Sequence, residues 1–275
     1  RGGHATGLLP DHAVGGIASR GKAPFFLYVP FSAVHLPIKE PAAYLERVPP
    51  EITGEVAREY AACVMHLDDA VGRIVAAVDK AGKRDNTLIV FTSDNGGSWA
   101  ENNDTKYPDD GYPSGRLTAS NIPWRGQKGQ LYEGGIRVPT IANWPGKLAP
   151  GYVTAPVHVV DWMPTLTHLA GYRAAEDHRW DGTNVWPLLQ GEEMQLTRTL
   201  YWTGPGFRER AVRHGDWKLI ERRSGDGTRV ELFDLSTDPR ETEDLAADQP
   251  ERVAQLKQML EEVSARDRDA VVTGD

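Results

Sequence analysis

The segment TLIVFTSDNGG occupies residues 87–97 and joins an apolar run to a polar, glycine-rich end. Its first part, Thr87–Thr92, is rich in β-branched and aromatic residues, which favours a buried strand. The preceding stretch Glu55–Lys80 carries apolar residues at helical spacing and stops near Gly82, so a long amphipathic helix is predicted. An earlier apolar run, Phe25–Val29, has the composition of another buried strand. Strand, helix and strand in this order predict an α/β crossover.

The pattern extends in both directions from this segment and changes near residue 191. Additional α/β elements are predicted at Leu8–Ser19 (helix), Pro139–Pro145 (strand) and Asp161–Gly171 (helix, with Asp161 as its N-cap). Antiparallel strands are predicted at Thr199–Trp202, Arg210–Ile220 and Val230–Leu235, followed by a helix at Pro250–Val263. We therefore predict an α/β fold with a mostly parallel central sheet flanked by helices over residues 1–190. A small C-terminal antiparallel sheet plus helix is predicted over residues 191–275.

The composition limits the classes of partner. The chain has 39 acidic and 31 basic residues and a formal net charge of −8, so a broad basic field for nucleic acid or anionic lipid is absent. Its apolar runs are far shorter than the ~20 residues of a membrane helix. One cysteine among 275 residues excludes an internal disulfide and a multi-cysteine zinc site. We expect no nucleic acid and no membrane as partners.

The strongest candidate site follows the predicted strand Thr87–Thr92. Asp94 and Asn95 stand at its carboxyl end, where open α/β sheets place their ligands. Carboxylate and amide oxygens suit Ca²⁺ or Mg²⁺, and the adjacent glycines allow close approach of the backbone to a ligand. The same residue types dominate ordinary turns, so from these residues alone a turn remains the alternative.

Two further residues suit an anion site. His35 follows the predicted strand Phe25–Val29 and is able to exchange a proton or donate a hydrogen bond near neutral pH. Lys128 lies in a glycine-rich segment, where its ammonium group is free to pair with a sulfate or phosphate oxygen. A surface histidine and a solvated loop lysine are the alternatives for each residue taken alone.

Other polar groups have simpler interpretations. Cys63 lies on the apolar face of the helix Glu55–Lys80 and is predicted to be a packed core thiol. His66 on the same helix lacks a partner at the spacing of a helical metal motif and is predicted to be solvated. Glu133 and Arg137 are four residues apart, which favours a structural ion pair. The aromatic residues of the loop at 97–124 either stack on a ligand or fix the loop to the protein body.

Taken together, these segments resemble the sulfatase family within the alkaline-phosphatase-like superfamily. The resemblance rests on PFFLY at 24–28 leading to His35-Leu36-Pro37, TSDNGG at 92–97, and KGQLYEGGIRVP at 128–139. It continues through DWMPTL at 161–166, DG at 181–182, WKL at 217–219 and ELFDLSTDPRE at 231–241. Nearly the whole chain is covered in a consistent order.

The resemblance implies a chemistry and roles for four residues. It implies Ca²⁺ as cofactor, with Asp94 and Asn95 as two of its ligands, and it implies that His35 and Lys128 contact the sulfate. The implied substrate is a sulfated small molecule or glycan, and the implied location is the periplasm or the cell exterior. The implied nucleophile is a formylglycine hydrate, made from the first residue of a Cys/Ser-x-Pro/Ala-x-Arg motif.

The sequence departs from the family pattern at the nucleophile. No such motif precedes His35, and Cys63 follows it with Val64-Met65-His66 behind, so Cys63 is not the nucleophile. The family's early Asp-Asp metal pair, the motif arginine and a second sulfate-binding Lys and His are also expected on an absent N-terminal segment. Because Ca²⁺ takes about 6–8 oxygen ligands, we expect this chain alone to be inactive and to lack a tight calcium site.

Three functions are therefore compared. The first is a sulfuric ester hydrolase acting on an aryl or carbohydrate sulfate, whose activity needs the N-terminal segment. The second is a phosphoester or phosphonate hydrolase of the same superfamily, because a similar cationic frame holds phosphate. The third is a non-catalytic sulfatase-like module that binds sulfated glycans.

Overall fold

A computed structural model describes residues 4–173, 178–225 and 227–267 of the chain. It divides into two compact units: the first comprises residues up to 90, 98–120 and 143–146, and the second comprises 91–97, 121–142 and the residues from 147 onward. The helices are α1 (Ala5–Ser19), α2 (Ala42–Leu45), α3 (Glu55–Lys80), α4 (Glu133–Ile136), α5 (Trp162–Leu169), α6 (Trp186–Leu189) and α7 (Pro250–Ser264). The strands are β1 (Ile89–Thr92), β2 (Glu101–Asn102), β3 (Gly115–Arg116), β4 (Thr140–Asn143), β5 (Thr199–Thr203), β6 (Glu209–His214), β7 (Trp217–Ser224) and β8 (Gly227–Asp234). Within these described ranges, no helix combines the length and the apolar character needed to cross a bilayer.

The first unit is built on the helices α1 and α3, which pack against each other. The predicted bounds of α3 are confirmed, and Gly82 follows the helix with a φ of +65°, a conformation that favours glycine at a helix end. Cys63 on α3 is buried with Val56, Ile38 and Leu117 in one apolar cluster, as predicted for a core thiol.

The long loop at 97–124 is tied to the first unit by a buried asparagine. Asn102 has no exposed surface; its Oδ1 accepts from Ile38 N at 2.7 Å, and its Nδ2 donates to Pro113 O at 2.8 Å. It lies on β2, which pairs in antiparallel register with β3. The loop therefore contains short regular elements instead of being wholly irregular. Its Trp99 donates from Nε1 to Ala119 O at 3.1 Å, a hydrogen bond within the loop itself.

The predicted strand Phe25–Val29 is wrong. The segment belongs to none of the described strands, and the side chains of Phe26 and Tyr28 are 80% and 77% exposed. An extended segment becomes a strand only when its N–H and C=O groups pair with a neighbour, and the described residues supply no such neighbour.

The mostly parallel central sheet is likewise not confirmed, because β1 pairs only with β4 in a two-stranded sheet among the described strands. The α/β class with small antiparallel sheets is confirmed.

The second unit is organised by a four-stranded antiparallel sheet in the order β5-β6-β7-β8. Side chains alternate between its two faces. One face packs on α7 through the buried residues Val212, Leu219, Leu232, Leu256 and Leu260. The other face packs on the segment that contains Leu131 and Tyr132, through Ala211, Ile220, Phe233 and Leu235. Each fully buried Leu or Phe contributes about 1.5–3 kcal/mol relative to an exposed one, so both layers stabilise the sheet substantially.

The sheet has one more strand than predicted. The sequence Arg210–Ile220 was predicted as one strand, but the chain reverses at Gly215, whose φ is +61°, and forms β6 and β7 in antiparallel register.

The predicted helix that begins at Asp161 is confirmed, but the side chain of Asp161 does not cap it. Its carboxylate makes no cap hydrogen bond to α5; it accepts from His158 N at 2.7 Å and from Thr183 N at 2.9 Å and pairs with Arg198. These contacts hold the pKa of Asp161 below its usual range despite its burial.

Candidate active site

The loop that follows β1 presents Asp94 and Asn95 in a turn. Ser93 Oγ donates to Asn95 O at 2.9 Å, and Asn95 Nδ2 donates to Gly96 O at 2.9 Å. Asp94 is exposed, and its carboxylate has no hydrogen bond or ion pair to any residue in the described part of the chain. The turn thus leaves the Asp94 carboxylate and the Asn95 Oδ1 available as oxygen ligands for a metal ion.

This loop is joined to the segment that carries Lys128 by backbone hydrogen bonds. Gly96 N donates to Gly135 O at 2.9 Å, and Lys128 N donates to Gly97 O at 3.1 Å. At the end of β1, the hydroxyls of Thr92 and Thr140 lie 2.8 Å apart. The structure therefore brings the backbone of Lys128 next to the Asp94–Gly97 turn, although more than 30 residues of sequence separate them.

Asn121 strengthens this connection, and the sequence analysis missed it. Its Oδ1 accepts from Gly97 N at 2.8 Å, while its Nδ2 donates to Gly97 O at 3.0 Å and to Gly126 O at 3.2 Å. One side chain thereby satisfies backbone groups of both loops. Its position in a Ser-Asn-Ile-Pro sequence is typical of a turn, so no local signal distinguishes it from other loop asparagines.

The glycines of these loops serve backbone packing. A Cβ on Gly96 would lie 1.8 Å from Gly134 O, and a Cβ on Gly135 would lie 2.0 Å from Gln130 O. Both separations are far below contact distance, so glycine is needed at position 96 for the two loops to approach and at position 135 for the segment with Lys128 to fold back on itself. Gly126, just before Gln127 and Lys128, has a φ of +87°, another conformation that favours glycine. The expectation that Gly96 and Gly97 allow close approach to a ligand stays a prediction; in the structure, Gly96 also lets the two loops pack together.

Lys128 is half-buried, and its ammonium group has no hydrogen bond or ion pair among the described residues. The segment that carries Lys128 is also held by a cluster of buried charged residues, Lys218, Glu133 and Glu241. Lys218 Nζ on β7 lies 2.9 Å from Glu133 Oε1 and 2.8 Å from Glu241 Oε1, and all three residues are buried. Glu133 N also donates to Glu241 Oε2 at 2.6 Å. Burial raises the pKa of Glu241 above its usual range even though the Lys218 ammonium opposes this shift.

Arginine side chains complete the support of the Lys128 segment. Arg137 pairs with Glu133 at 3.7 Å, which confirms the predicted ion pair, and its guanidinium lies 3.9 Å from the centre of the Trp124 ring. Arg125 donates from Nη1 to Glu241 O at 2.8 Å and stacks over Tyr132 at 4.0 Å. Lys128 therefore projects from a segment whose neighbours are packed and charge-paired.

His35 lies in the first unit. It is exposed, and its Nδ1 lies 2.6 Å from Leu36 O, so this nitrogen is the donor of a local hydrogen bond. The peptide bonds Ala33–Val34 and Leu36–Pro37 on either side of it are cis. Its convergence with Asp94, Asn95 and Lys128 in one site stays a prediction.

The donor set at Asp94 and Asn95 fits calcium chemically, because both offer uncommitted hard oxygen ligands. The formylglycine nucleophile does not fit the one cysteine of this chain. Cys63 is only 3% exposed, and burial raises the pKa of its thiol well above its usual range. A buried, protonated thiol inside a helix suits packing, so the described residues offer no formylglycine position at a cysteine.

The prediction that His66 is a solvated helix residue is wrong. His66 is 5% exposed, stacks on Tyr44 with ring centres 4.1 Å apart, and contacts the buried Glu40 through Nδ1 at 2.7 Å. His66 is buried by residues outside α3, so the spacing of residues along the helix could not predict its burial.

Two family models match the chain. The model described as Sulfatase matches residues 2–172, and the model described as N-sulphoglucosamine sulphohydrolase, C-terminal, matches residues 125–267. A sulfatase of Formosa agariphila is 34% identical over 278 residues, covering 90% of this chain and 47% of that protein. An N-acetylgalactosamine-6-O-sulfatase of Bacteroides thetaiotaomicron is 30% identical over 277 residues, covering 94% of this chain and 51% of that protein.

A solved structure is also similar to this chain in fold and sequence. The crystal structure of Ps i-CgsB in complex with k-i-k-neocarrahexaose has a TM-score of 0.81 and 30% identity, covering 96% of this chain and 55% of that chain. The chain thus spans about half the length of the curated relatives it matches. Because the first family model covers more than half of the chain, the resemblance seen in the sequence is confirmed: the chain belongs to the sulfatase family.

Proposed function

We propose that this chain contributes Asp94, Asn95, His35 and Lys128 to a sulfuric ester hydrolase that releases inorganic sulfate from an aryl or carbohydrate sulfate ester. The observation that supports it best is the joined pair of loops in the second unit. Asp94 and Asn95 offer oxygen ligands there, and Lys128, on the segment hydrogen-bonded to that loop, offers an ammonium group without a partner among the described residues. A lysine whose backbone adjoins a turn with two uncommitted oxygen ligands supports the proposal, because cleaving a sulfate ester needs positive charge near the sulfate.

Each residue has a defined task in the proposal. Lys128 stabilises negative charge that develops on the ester oxygen as the S–O bond breaks, which favours the transition state over the bound substrate. His35, as the family resemblance implies, would donate a hydrogen bond or a proton to the sulfate. Asp94 and Asn95 would hold calcium, which would supply positive charge that polarises the sulfate group. The nucleophile, and with it the remaining metal ligands, is expected outside the described residues of this chain.

The relatives favour sulfate over phosphate and catalysis over binding alone, because the similar proteins are named as sulfatases. A carbohydrate substrate is supported by the N-acetylgalactosamine-6-O-sulfatase and by the oligosaccharide complex of Ps i-CgsB. An aryl substrate is supported by the names of the human and mouse arylsulfatases, of which human arylsulfatase A is 30% identical. A periplasmic or secreted location remains part of the proposal on family grounds.

The test compares variants of the complete gene product that carries this chain. Wild-type, Lys128→Ala and Asp94→Ala proteins are assayed for sulfate release from 4-nitrophenyl sulfate and from a sulfated oligosaccharide. Loss of a charge-stabilising group lowers kcat by about 100-fold or more. Lys147→Ala is the matched control, because Lys147 is also in the second unit and is exposed. We expect its kcat to equal that of the wild type.

Other outcomes would refute the proposal in distinct ways. Lys128→Ala activity equal to the control would remove Lys128 from the mechanism. Faster turnover of 4-nitrophenyl phosphate than of the sulfate would establish the phosphoester alternative. Binding of the sulfated oligosaccharide without any turnover by the complete protein would establish the binding module. The 275-residue chain assayed alone is expected to show no turnover.

A further inference from the structure

A second cluster of metal-type ligands lies in the first unit. The Glu40 carboxylate stands between two imidazoles: its Oε1 is 3.4 Å from His4 Nε2, and its Oε2 is 2.7 Å from His66 Nδ1. The two imidazole centroids are 4.9 Å apart. One ligand atom from each of the three residues lies within 4.8 Å of the others, which is close enough for one ion to contact all three.

Two of the three residues, Glu40 and His66, are buried, and His4 is partly buried. Glu40 and His66 are 6% and 5% exposed, and His4 Nδ1 is a buried nitrogen without a hydrogen-bond partner. Glu59 Oε2 accepts from Glu40 N at 2.6 Å and so fixes the backbone beside the carboxylate. A carboxylate in this environment needs compensation, which either protonated histidines or a cation supplies.

The ligand types discriminate between ions. Two imidazoles and one carboxylate suit Zn²⁺ and similar borderline divalent ions, whereas Ca²⁺ and Mg²⁺ prefer oxygen ligands. Three protein ligands leave one tetrahedral position for solvent. The 2.7 Å contact between His66 and Glu40 is a hydrogen bond in the metal-free protein, and an ion entering the cluster takes the place of its proton.

We propose that His4, Glu40 and His66 form a binding site for a borderline divalent metal ion such as Zn²⁺. Its ligands come from the residue before α1, the segment that follows the His35 loop, and α3. The ion therefore links three parts of the first unit and stabilises the fold of the Glu40 segment. The site is independent of the proposed sulfatase activity, because it shares no ligand with Asp94 and Asn95.

The test uses the tag-free 275-residue chain after chelator treatment. Zn²⁺ is titrated by calorimetry, and Co²⁺ is titrated by absorbance, which reports the imidazole-rich tetrahedral environment directly. One equivalent of metal should bind and should raise the melting temperature, since a ligand that binds only the folded state stabilises it. His4→Ala and Glu40→Gln should each weaken binding by about 10-fold or more.

Matched variants keep the result interpretable. His12→Ala removes an exposed histidine from α1, and Asp94→Ala removes one of the two proposed calcium ligands; both should retain the Zn²⁺ affinity of the wild type. His4→Ala is the key variant, because His4 is only partly buried and its loss leaves the core of the first unit intact. Circular dichroism of the metal-free variants checks that each is folded.

Two results would overturn the proposal. One is the absence of stoichiometric Zn²⁺ and Co²⁺ binding to the wild-type chain. The other is binding that persists unchanged in folded His4→Ala and Glu40→Gln, which would place the ion on other histidines.

Discussion

Replacing Lys218 by methionine should sharply reduce the stability of the second unit. The Lys218 side chain has no exposed surface, and its ammonium lies 2.9 Å from Glu133 and 2.8 Å from Glu241. At an effective dielectric constant of about 20, each contact corresponds to an attraction of about 6 kcal/mol, most of which offsets the desolvation of the ions. Lys218→Met leaves the buried Glu241 carboxylate without its cation and leaves Glu133 only its 3.7 Å pair with Arg137, so the free energy of unfolding should fall by about 3–5 kcal/mol at neutral pH.

The size of this loss should depend on pH. Burial raises the pKa of Glu241 in the folded protein, and removing the ammonium raises it further. A carboxyl whose pKa is higher in the folded than in the unfolded state favours folding below its unfolded pKa of about 4.3, and this contribution is lost as the pH rises through the folded pKa. The deficit of Lys218→Met should therefore be greatest near neutral pH and should shrink as the pH falls toward the unfolded value.

Urea unfolding followed by circular dichroism at several pH values measures both effects. Lys147→Met is the control, because Lys147 is exposed in the same unit. Combining Lys218→Met with Glu133→Gln and Glu241→Gln removes the uncompensated charges and should recover most of the loss. The reasoning is refuted if Lys218→Met is as stable as Lys147→Met, or if its deficit grows at lower pH.

Two further substitutions test how the loop with Asp94 and the segment with Lys128 are joined. Gly96→Ala places a Cβ 1.8 Å from Gly134 O, and because backbone cannot rotate away, the loss of stability should be about 3 kcal/mol. Gly151→Ala, where a Cβ meets nothing within 4 Å, is its control, and equal melting temperatures of the two variants would contradict the packing argument. Asn121→Ala removes the hydrogen bonds to Gly97 and Gly126 and should destabilise by about 1–3 kcal/mol. It should also accelerate amide hydrogen exchange at Gly97 and Lys128, so unchanged protection at both amides would show that Asn121 does not join the loops.

Elements with a strong local pattern were predictable from the sequence. The helix α3 matches its predicted bounds because a long amphipathic stripe ends at a glycine. The predicted strand Phe25–Val29 failed because apolar composition does not provide a pairing partner, and the missed turn at Gly215 shows that a single glycine is easily overlooked between two strand-like runs. The boundary between the two predicted domains at residue 190 stays a prediction.

The residues of the candidate site stay a prediction, and the contacts that support their loops were not predictable from the sequence. Motif order identified Asp94, Asn95 and Lys128, and the structure places the last beside the turn of the first two. Asn121 and Lys218 were missed because their roles depend on contacts far away in sequence. Lys218 in particular has the residue type of a solvated strand position, yet it is completely buried.

Because the segment with Lys128 packs on the C-terminal sheet, these two distant parts of the chain should evolve together. Glu133 lies 85 residues before its partner Lys218 and 108 before Glu241. A change at one of these positions alters the selective cost of changes at the other two, so they should vary together among relatives. The C-terminal sheet is therefore inherited together with the segment that carries Lys128, and a recombination event that exchanged one without the other would separate Lys218 from Glu133.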